Sequence, residues 1–212
     1  METFEVFDKS ANINRNIYIF DKCIPPYSIV ELYDFCIHAP YTLSNYDIFD
    51  DSGILAKKWK HDLSLENLNS YSLLEYIDNC FSEICKSKNK NIKLVYKRAY
   101  VNYADPYTID SPHVDETLAT LKQNSLEDKN IKLDNVESFT ILIYPNTKWD
   151  IDWFGETKFY DMDVENVIFS FPPSPGKIII FDGLIPHSAS PPSLKAKQPR
   201  YTIAIKAFGA KI

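Results

Sequence analysis

Two side chains that can bind a metal stand two apart in Ser111-Pro112-His113-Val114-Asp115. In an extended chain successive side chains alternate, so His113 and Asp115 point to the same side. A third ligand is sought among the four histidines of the chain, and His187, in Phe181-Asp182-Gly183-Leu184-Ile185-Pro186-His187, is the candidate. Two imidazoles and one carboxylate form a facial set that leaves open positions on non-haem Fe(II). Thirteen residues after His187, Arg200 opens Arg200-Tyr201-Thr202-Ile203-Ala204-Ile205-Lys206. Read as a strand, Arg200, Thr202 and Ala204 share a small, polar face, and Tyr201, Ile203 and Ile205 a bulky apolar one. The first suits a lumen that holds an anion against a bidentate guanidinium. The second suits packing under helices. Lys206 falls on the lumen face by the same alternation, if the strand lasts that far.

Together, His113-x-Asp115, His187 and Arg200 resemble the 2-oxoglutarate/Fe(II)-dependent dioxygenase superfamily, most of all its prolyl 4-hydroxylase-like branch. The likeness extends to Tyr103, ten residues before His113, and to Tyr144-Pro145-Asn146 ahead of Trp149-Asp150 and Gly155-Glu156-Thr157. It continues in Pro175-Gly176-Lys177-Ile178-Ile179-Ile180-Phe181 before His187, and spans residues 92–208. One departure stands out: the family has Gly-Gly before Glu-Thr, where this chain has Phe154-Gly155.

The resemblance implies a double-stranded β-helix, jelly-roll or cupin-like, buttressed by N-terminal helices. It implies that His113, Asp115 and His187 hold Fe(II) and form the catalytic centre. 2-Oxoglutarate and O2 are the implied cosubstrates, and ascorbate an admissible reductant. Arg200 would pair with the distal carboxylate of 2-oxoglutarate, helped by Tyr144 and Thr202, while Tyr103 would touch the oxoacid or the substrate. The implied reaction hydroxylates an unactivated C–H bond and releases succinate and CO2. Related halogenases lack a carboxylate at the position of Asp115, so its presence favours hydroxylation. The branch points to a peptidyl proline or an amino acid as substrate, although the cofactor half of the site is shared with enzymes of small metabolites and nucleobases. Tyr107, Trp149 and Trp153 are candidates to line a proline-sized pocket.

The whole chain fits this picture. It has 212 residues, 45% hydrophobic and 25% charged, which suits one globular domain with a good core. Fourteen Tyr, thirteen Phe and thirteen Pro favour a mainly β, α+β fold over a helical bundle. A net charge of −6 and a pI near 5.2 argue against a general nucleic-acid or anionic-membrane binder. The first residues are acidic with no apolar signal segment, and no run reaches the roughly 20 apolar residues of a membrane span. Cys23, Cys36, Cys80 and Cys85 form no CxxC pair and read as reduced thiols, so a cytoplasmic location is expected. Oligomeric state leaves no signature.

In chain order, residues 1–24 read as one or two strands, and Pro25-Pro26 opens a helix to about Ile37. Residues 39–62 read as irregular. A helix is expected from Ser64 to about Lys86, with Leu73, Leu74, Ile77, Phe81 and Ile84 as its apolar stripe. Strands follow at 92–103 and 136–144, the second with Phe139, Ile141 and Ile143 on one face and Thr140, Leu142 and Tyr144 on the other. Three more strands fall at 156–160, 167–171 and 177–181. Residues 116–135 interrupt the barrel and are a candidate lid beside the metal. His38 and His61 have no partner at ligand spacing and stay outside the site.

Two other readings compete. One is a jelly-roll binding or structural protein with an inactive site. The other is a cupin-like metal enzyme with no oxoacid, in which Arg200-x-Thr202 would have no evident task.

Overall fold

The computed structural model describes residues 1–43, 59–108, 110–117 and 137–211. Among these, antiparallel strands form two sheets. The larger has eight strands in the order β1 (Glu2–Asp8), β2 (Ile13–Phe20), β9 (Ile178–Asp182), β6 (Glu137–Ile143), β11 (Arg200–Lys211), β5 (Ile92–Ala104), β4 (Trp59–Leu63) and β3 (Thr42–Leu43). The smaller runs β10 (His187–Ala189), β7 (Thr157–Tyr160) and β8 (Val167–Phe171). The helices are α1 (Pro26–His38), α2 (Leu65–Ser70) and α3 (Leu73–Ser87).

Pro26 occupies the first turn of α1, where its missing N–H costs nothing. The expected single helix at 64–86 is two helices. A Ser64–Asn67 capping box starts α2, and Ser72, at φ 54°, breaks the chain before α3. α3 then buries Leu73, Ile77, Cys80, Phe81 and Ile84 on one stripe, with Leu74 partly buried beside them. The stretch expected to be irregular carries β3 and β4, so His61 lies in a strand, against the rings of Phe35 and Tyr41. The residues proposed as a lid lie largely outside the described ones.

The central strands of the eight-stranded sheet, β9, β6 and β11, are buried on both faces. Its outer face carries Tyr201, Ile203, Ile205, Ala99, Val101, Phe139, Ile141 and Ile143 against the helices. Its inner face carries Leu142, Tyr144, Ile179, Phe181 and Ala204, which meet Phe159 of β7 and Phe169 and Phe171 of β8. Each fully buried Ile or Phe contributes on the order of 1.5–3 kcal/mol over exposure. The alternation read for β6 and β11 is the one observed. β11 also continues in register through Lys206, opposite Arg98, and shifts only between Lys206 and Ala207. Lys206 therefore stays on the inner face with Arg200, Thr202 and Ala204.

Candidate metal centre

His113, Asp115 and His187 come together on this inner face. One ligand-capable atom from each lies within 4.8 Å of the others. The cause is a backbone pairing: His113 and His187 form an isolated antiparallel bridge that carries the 110–115 segment alongside β10. The Asp115 and Glu116 N–H groups both donate to the Gly183 carbonyl, at 3.0 and 3.1 Å, and fix the carboxylate end. A Cβ on Gly183 would lie 2.7 Å from Ser138 Oγ, so glycine permits this close approach. Asp110, which the sequence did not single out, ties the same segment to β10 by accepting from the Ala189 N–H at 2.9 Å.

Both imidazoles are oriented alike. His113 Nδ1 lies 2.9 Å from the Ser111 carbonyl and His187 Nδ1 lies 3.0 Å from the Ile185 carbonyl. A carbonyl can only accept, so each Nδ1 carries a proton and each ring turns its Nε2 to the common point. His187 Nε2 is 3.2 Å from Asp115 Oδ2, and His113 Nε2 is 4.0 Å from Asp115 Oδ1. Phe181 and Phe159 pack on the His187 ring, with centroids 4.8 and 6.1 Å away.

Asp115 is buried, which raises the pKa of its carboxyl. The His187 imidazole and the Lys206 ammonium outweigh that and hold it well below the usual carboxylate range. Lys206 Nζ forms an ion pair with Asp115 Oδ2, and Thr140 Oγ1 donates to the same oxygen at 2.6 Å. Sequence alternation reached both residues but gave neither a role.

Along the same face lies a second polar cluster. Arg200 is 3% exposed and donates from Nη2 to Thr157 Oγ1 at 2.8 Å. Tyr144 OH shares that hydroxyl at 2.7 Å, and the guanidinium sits 5.4 Å from the Tyr144 ring centroid. Arg200 Nε and Thr202 Oγ1 are buried without a hydrogen-bond partner. Among the described residues no carboxylate forms an ion pair with Arg200. Burial alone pulls this guanidinium down, and a buried cation in that state calls for an anion. Thr157 was missed as a contact although it ends the Gly155-Glu156-Thr157 stretch.

Tyr103 is a correction. In register it faces Tyr201, whereas Arg200 faces Ala104 and Thr202 faces Asn102. Its ring joins Tyr41 and Tyr201, at 5.6 and 5.9 Å, on the helix side of the sheet. Its role in the site came from the resemblance alone; within β5 it shares the helix-side face with Ala99 and Val101. Of the aromatic candidates for a substrate pocket, Trp149 and Trp153 pack edge to face with ring centroids 5.4 Å apart. Trp153 is buried in a 3-10 turn, Ile151–Trp153, Tyr107 is exposed, and Trp149 donates from Nε1 to the Phe154 carbonyl at 2.8 Å.

The donors fit the groups that such a site would take. Two imidazoles and a carboxylate suit a divalent transition metal. An unpaired guanidinium with orphaned Nε and threonine oxygen suits the far carboxylate of a small dicarboxylic acid.

No family model matches the chain, and no curated protein matches it. Solved structures do. A Pseudomonas putida prolyl-4-hydroxylase is 12% identical over 92% of this chain and 92% of its own, with a TM-score of 0.60. A prolyl hydroxylase from Trichoplax adhaerens, in complex with a hypoxia inducible factor peptide fragment, is 15% identical over 91% of this chain and 83% of its own, at 0.54. SnoN, a non-heme α-ketoglutarate-dependent epimerase from nogalamycin biosynthesis, is 9% identical over 92% and 80%, at 0.59. At these identities the likeness is one of fold. The chain has the fold shared by prolyl-4-hydroxylases and other 2-oxoglutarate/Fe(II) oxygenases.

Proposed function

We propose that the chain is an Fe(II)- and 2-oxoglutarate-dependent dioxygenase, a hydroxylase of the prolyl 4-hydroxylase-like kind, built as one domain around a double-stranded β-helix. A single observation carries this reading: a His113–Asp115–His187 triad lies close to a buried Arg200 that has no ion-pair partner among the described residues. A binding protein with a disabled site has no use for either. A metal enzyme without an oxoacid has no use for the second.

Bound together, Fe(II), 2-oxoglutarate and O2 supply the oxidising power for C–H hydroxylation, with succinate and CO2 released. The protein contributes position. His113 and His187 present Nε2 because backbone carbonyls hold Nδ1. Arg200, with Thr202 and Tyr144 beside it, takes the far carboxylate. The packed Phe159 and Phe181 rings keep water from one side of the centre.

The substrate belongs to the same proposal. A peptidyl proline or an amino acid fits best, supported by the fold shared with a prolyl hydroxylase that carries a peptide. A cytoplasmic location fits too, because Fe(II) and the free Cys23, Cys36, Cys80 and Cys85 suit a reducing compartment. Among the described residues no helix is long and apolar enough to cross a membrane.

Anaerobic titration of the Fe(II)-loaded protein with 2-oxoglutarate tests the core of the reading. A weak visible charge-transfer band is expected, absent in His113→Ala and shifted to far higher oxoacid in Arg200→Ala. A folded, iron-bound protein that gives no band would return the chain to the oxoacid-free readings. Proline-containing peptides, tested beside free proline and other amino acids for succinate release, then address the substrate; activity on none removes the prolyl assignment.

A further inference from the structure

Neither the triad nor the oxoacid pocket needs Lys206. Yet its side chain, 5% exposed, is aimed at the Asp115 carboxylate from β11. Its Nζ pairs with Asp115 Oδ2, lies 3.3 Å from Thr140 Oγ1 and sits 5.8 Å from the Tyr100 ring centroid. Thr140 already donates to Asp115 Oδ2 at 2.6 Å, so the carboxylate does not lack a hydrogen bond without the lysine. What Lys206 adds, and Thr140 cannot, is a full positive charge.

Resting on the metal-site reading above, we propose that Lys206 is a resident cation that loosens the site's hold on a divalent metal and tightens its hold on an anionic cosubstrate. Two effects act on the metal with the same sign. In the metal-free protein Lys206 neutralises a buried carboxylate, and removing one partner of such a pair leaves a costly unpaired charge. The metal-free state is thereby stabilised. Once a dication binds Asp115, the ammonium is a like charge close by in a medium of low effective dielectric, which disfavours the loaded state. The anion responds in the opposite sense. With Lys206 in place the loaded centre carries one more positive charge, and a dicarboxylate approaching it gains.

A mere strut that held Asp115 in place would behave differently. Its removal would weaken metal binding, and a neutral donor would restore it. Lys206→Gln keeps a donor to Asp115 and loses the charge, while Lys206→Met loses both.

Mn(II) binding to the full-length protein, followed by electron paramagnetic resonance, separates the cases. 2-Oxoglutarate titration of the Mn(II)-loaded forms and melting curves of the metal-free forms complete the test. Both variants are expected to bind Mn(II) at least tenfold tighter than wild type and 2-oxoglutarate at least tenfold weaker. Both should melt lower without metal and gain more on its addition. Equal or weaker Mn(II) binding in both variants overturns the proposal. So does weaker binding in Lys206→Met with wild-type binding in Lys206→Gln, which would mark a strut. If wild type itself binds no Mn(II), the metal-site reading fails and the inference falls with it; a wild type that binds, beside variants that match it, sinks the inference alone.

Discussion

His113 and His187 exchange both of their backbone hydrogen bonds, His113 N–H to His187 O at 3.0 Å and His187 N–H to His113 O at 2.9 Å. Such a pair puts its two side chains on one face of the sheet, and the imidazole centroids lie 4.6 Å apart. The two candidate metal ligands are thus set by main-chain geometry that does not depend on the side chains themselves.

Replacing either imidazole should therefore remove metal while sparing the bridge. For His113→Ala, whose side chain is 37% exposed, we expect Mn(II) affinity to fall at least a hundredfold with little change in melting temperature. His187→Ala should lose metal equally and also cost about 1–3 kcal/mol, because it opens a space between Phe159 and Phe181. Metal titration and chemical denaturation, run on both variants, check the two halves. Equal destabilisation of both would contradict the different burial of the two rings.

Arg200→Met should separate binding from stability. Losing a charged hydrogen-bonding partner costs an anion roughly 1.5–3 kcal/mol, about ten- to a hundredfold in 2-oxoglutarate affinity. Mn(II) affinity should hold, because Arg200 contacts no ligand. The metal-free variant should melt no lower than wild type, since a desolvated cation without a counter-ion is replaced by an apolar chain of similar length. A marked loss of stability would mean that the guanidinium is already satisfied within the protein.

Much of this site was legible because strand alternation is a rigid rule within one unbroken strand. It placed Arg200 and Thr202 in the lumen, Tyr201 under the helices, and Thr140 and Tyr144 opposite Phe139 and Ile141. Tyr103 was placed in the site by the resemblance and not by alternation, and it lies with Ala99 and Val101 on the helix side. The break at Ser72 was hidden because a left-handed serine leaves no mark in an otherwise helical stripe. Lys206 was reached by alternation but not interpreted. Its pairing with Asp115 depends on β11, β6 and the 110–116 segment converging, and no local spacing encodes that.

Phe154 shows how a departure from a family pattern becomes a physical quantity. It sits at φ 57° and ψ −137°, a region suited to glycine, and its side chain is exposed. Strain of this kind costs on the order of 1–3 kcal/mol, part of which glycine returns as flexibility of the unfolded chain. Phe154→Gly is expected to stabilise the fold by about 1 kcal/mol on balance. Gly155→Ala should do the reverse. At φ 79° its added Cβ would lie 3.1 Å from the Trp149 ring and 3.2 Å from Arg200 Cδ, so the anion pocket should shift as well. Melting curves with oxoacid titrations test both; an Arg200 pocket unaffected by Gly155→Ala would show that the neighbouring loop yields freely.

Acid should act in part through a lock remote from the metal-site residues. The Asp8 carboxyl is lowered to about 2 by its Ser10 hydrogen bond, with the Arg15 guanidinium adding to the effect against the cost of burial. Arg15 in turn donates to Asp182 Oδ2 at 2.7 Å, at the end of β9 and one residue before the glycine whose carbonyl holds Asp115. A folded pKa below the unfolded value of 3.8 contributes stability that is fully present above about pH 4 and is lost as pH falls through about 2. Asp8→Asn should therefore be less stable than wild type near neutrality. The difference should shrink between about pH 4 and pH 2, because wild type binds there the proton that the variant cannot. Denaturant titrations of both proteins across that range supply the measurement. A gap that stays constant would mean that Asp8 supports the fold by its shape and hydrogen bonds, with no contribution from its charge.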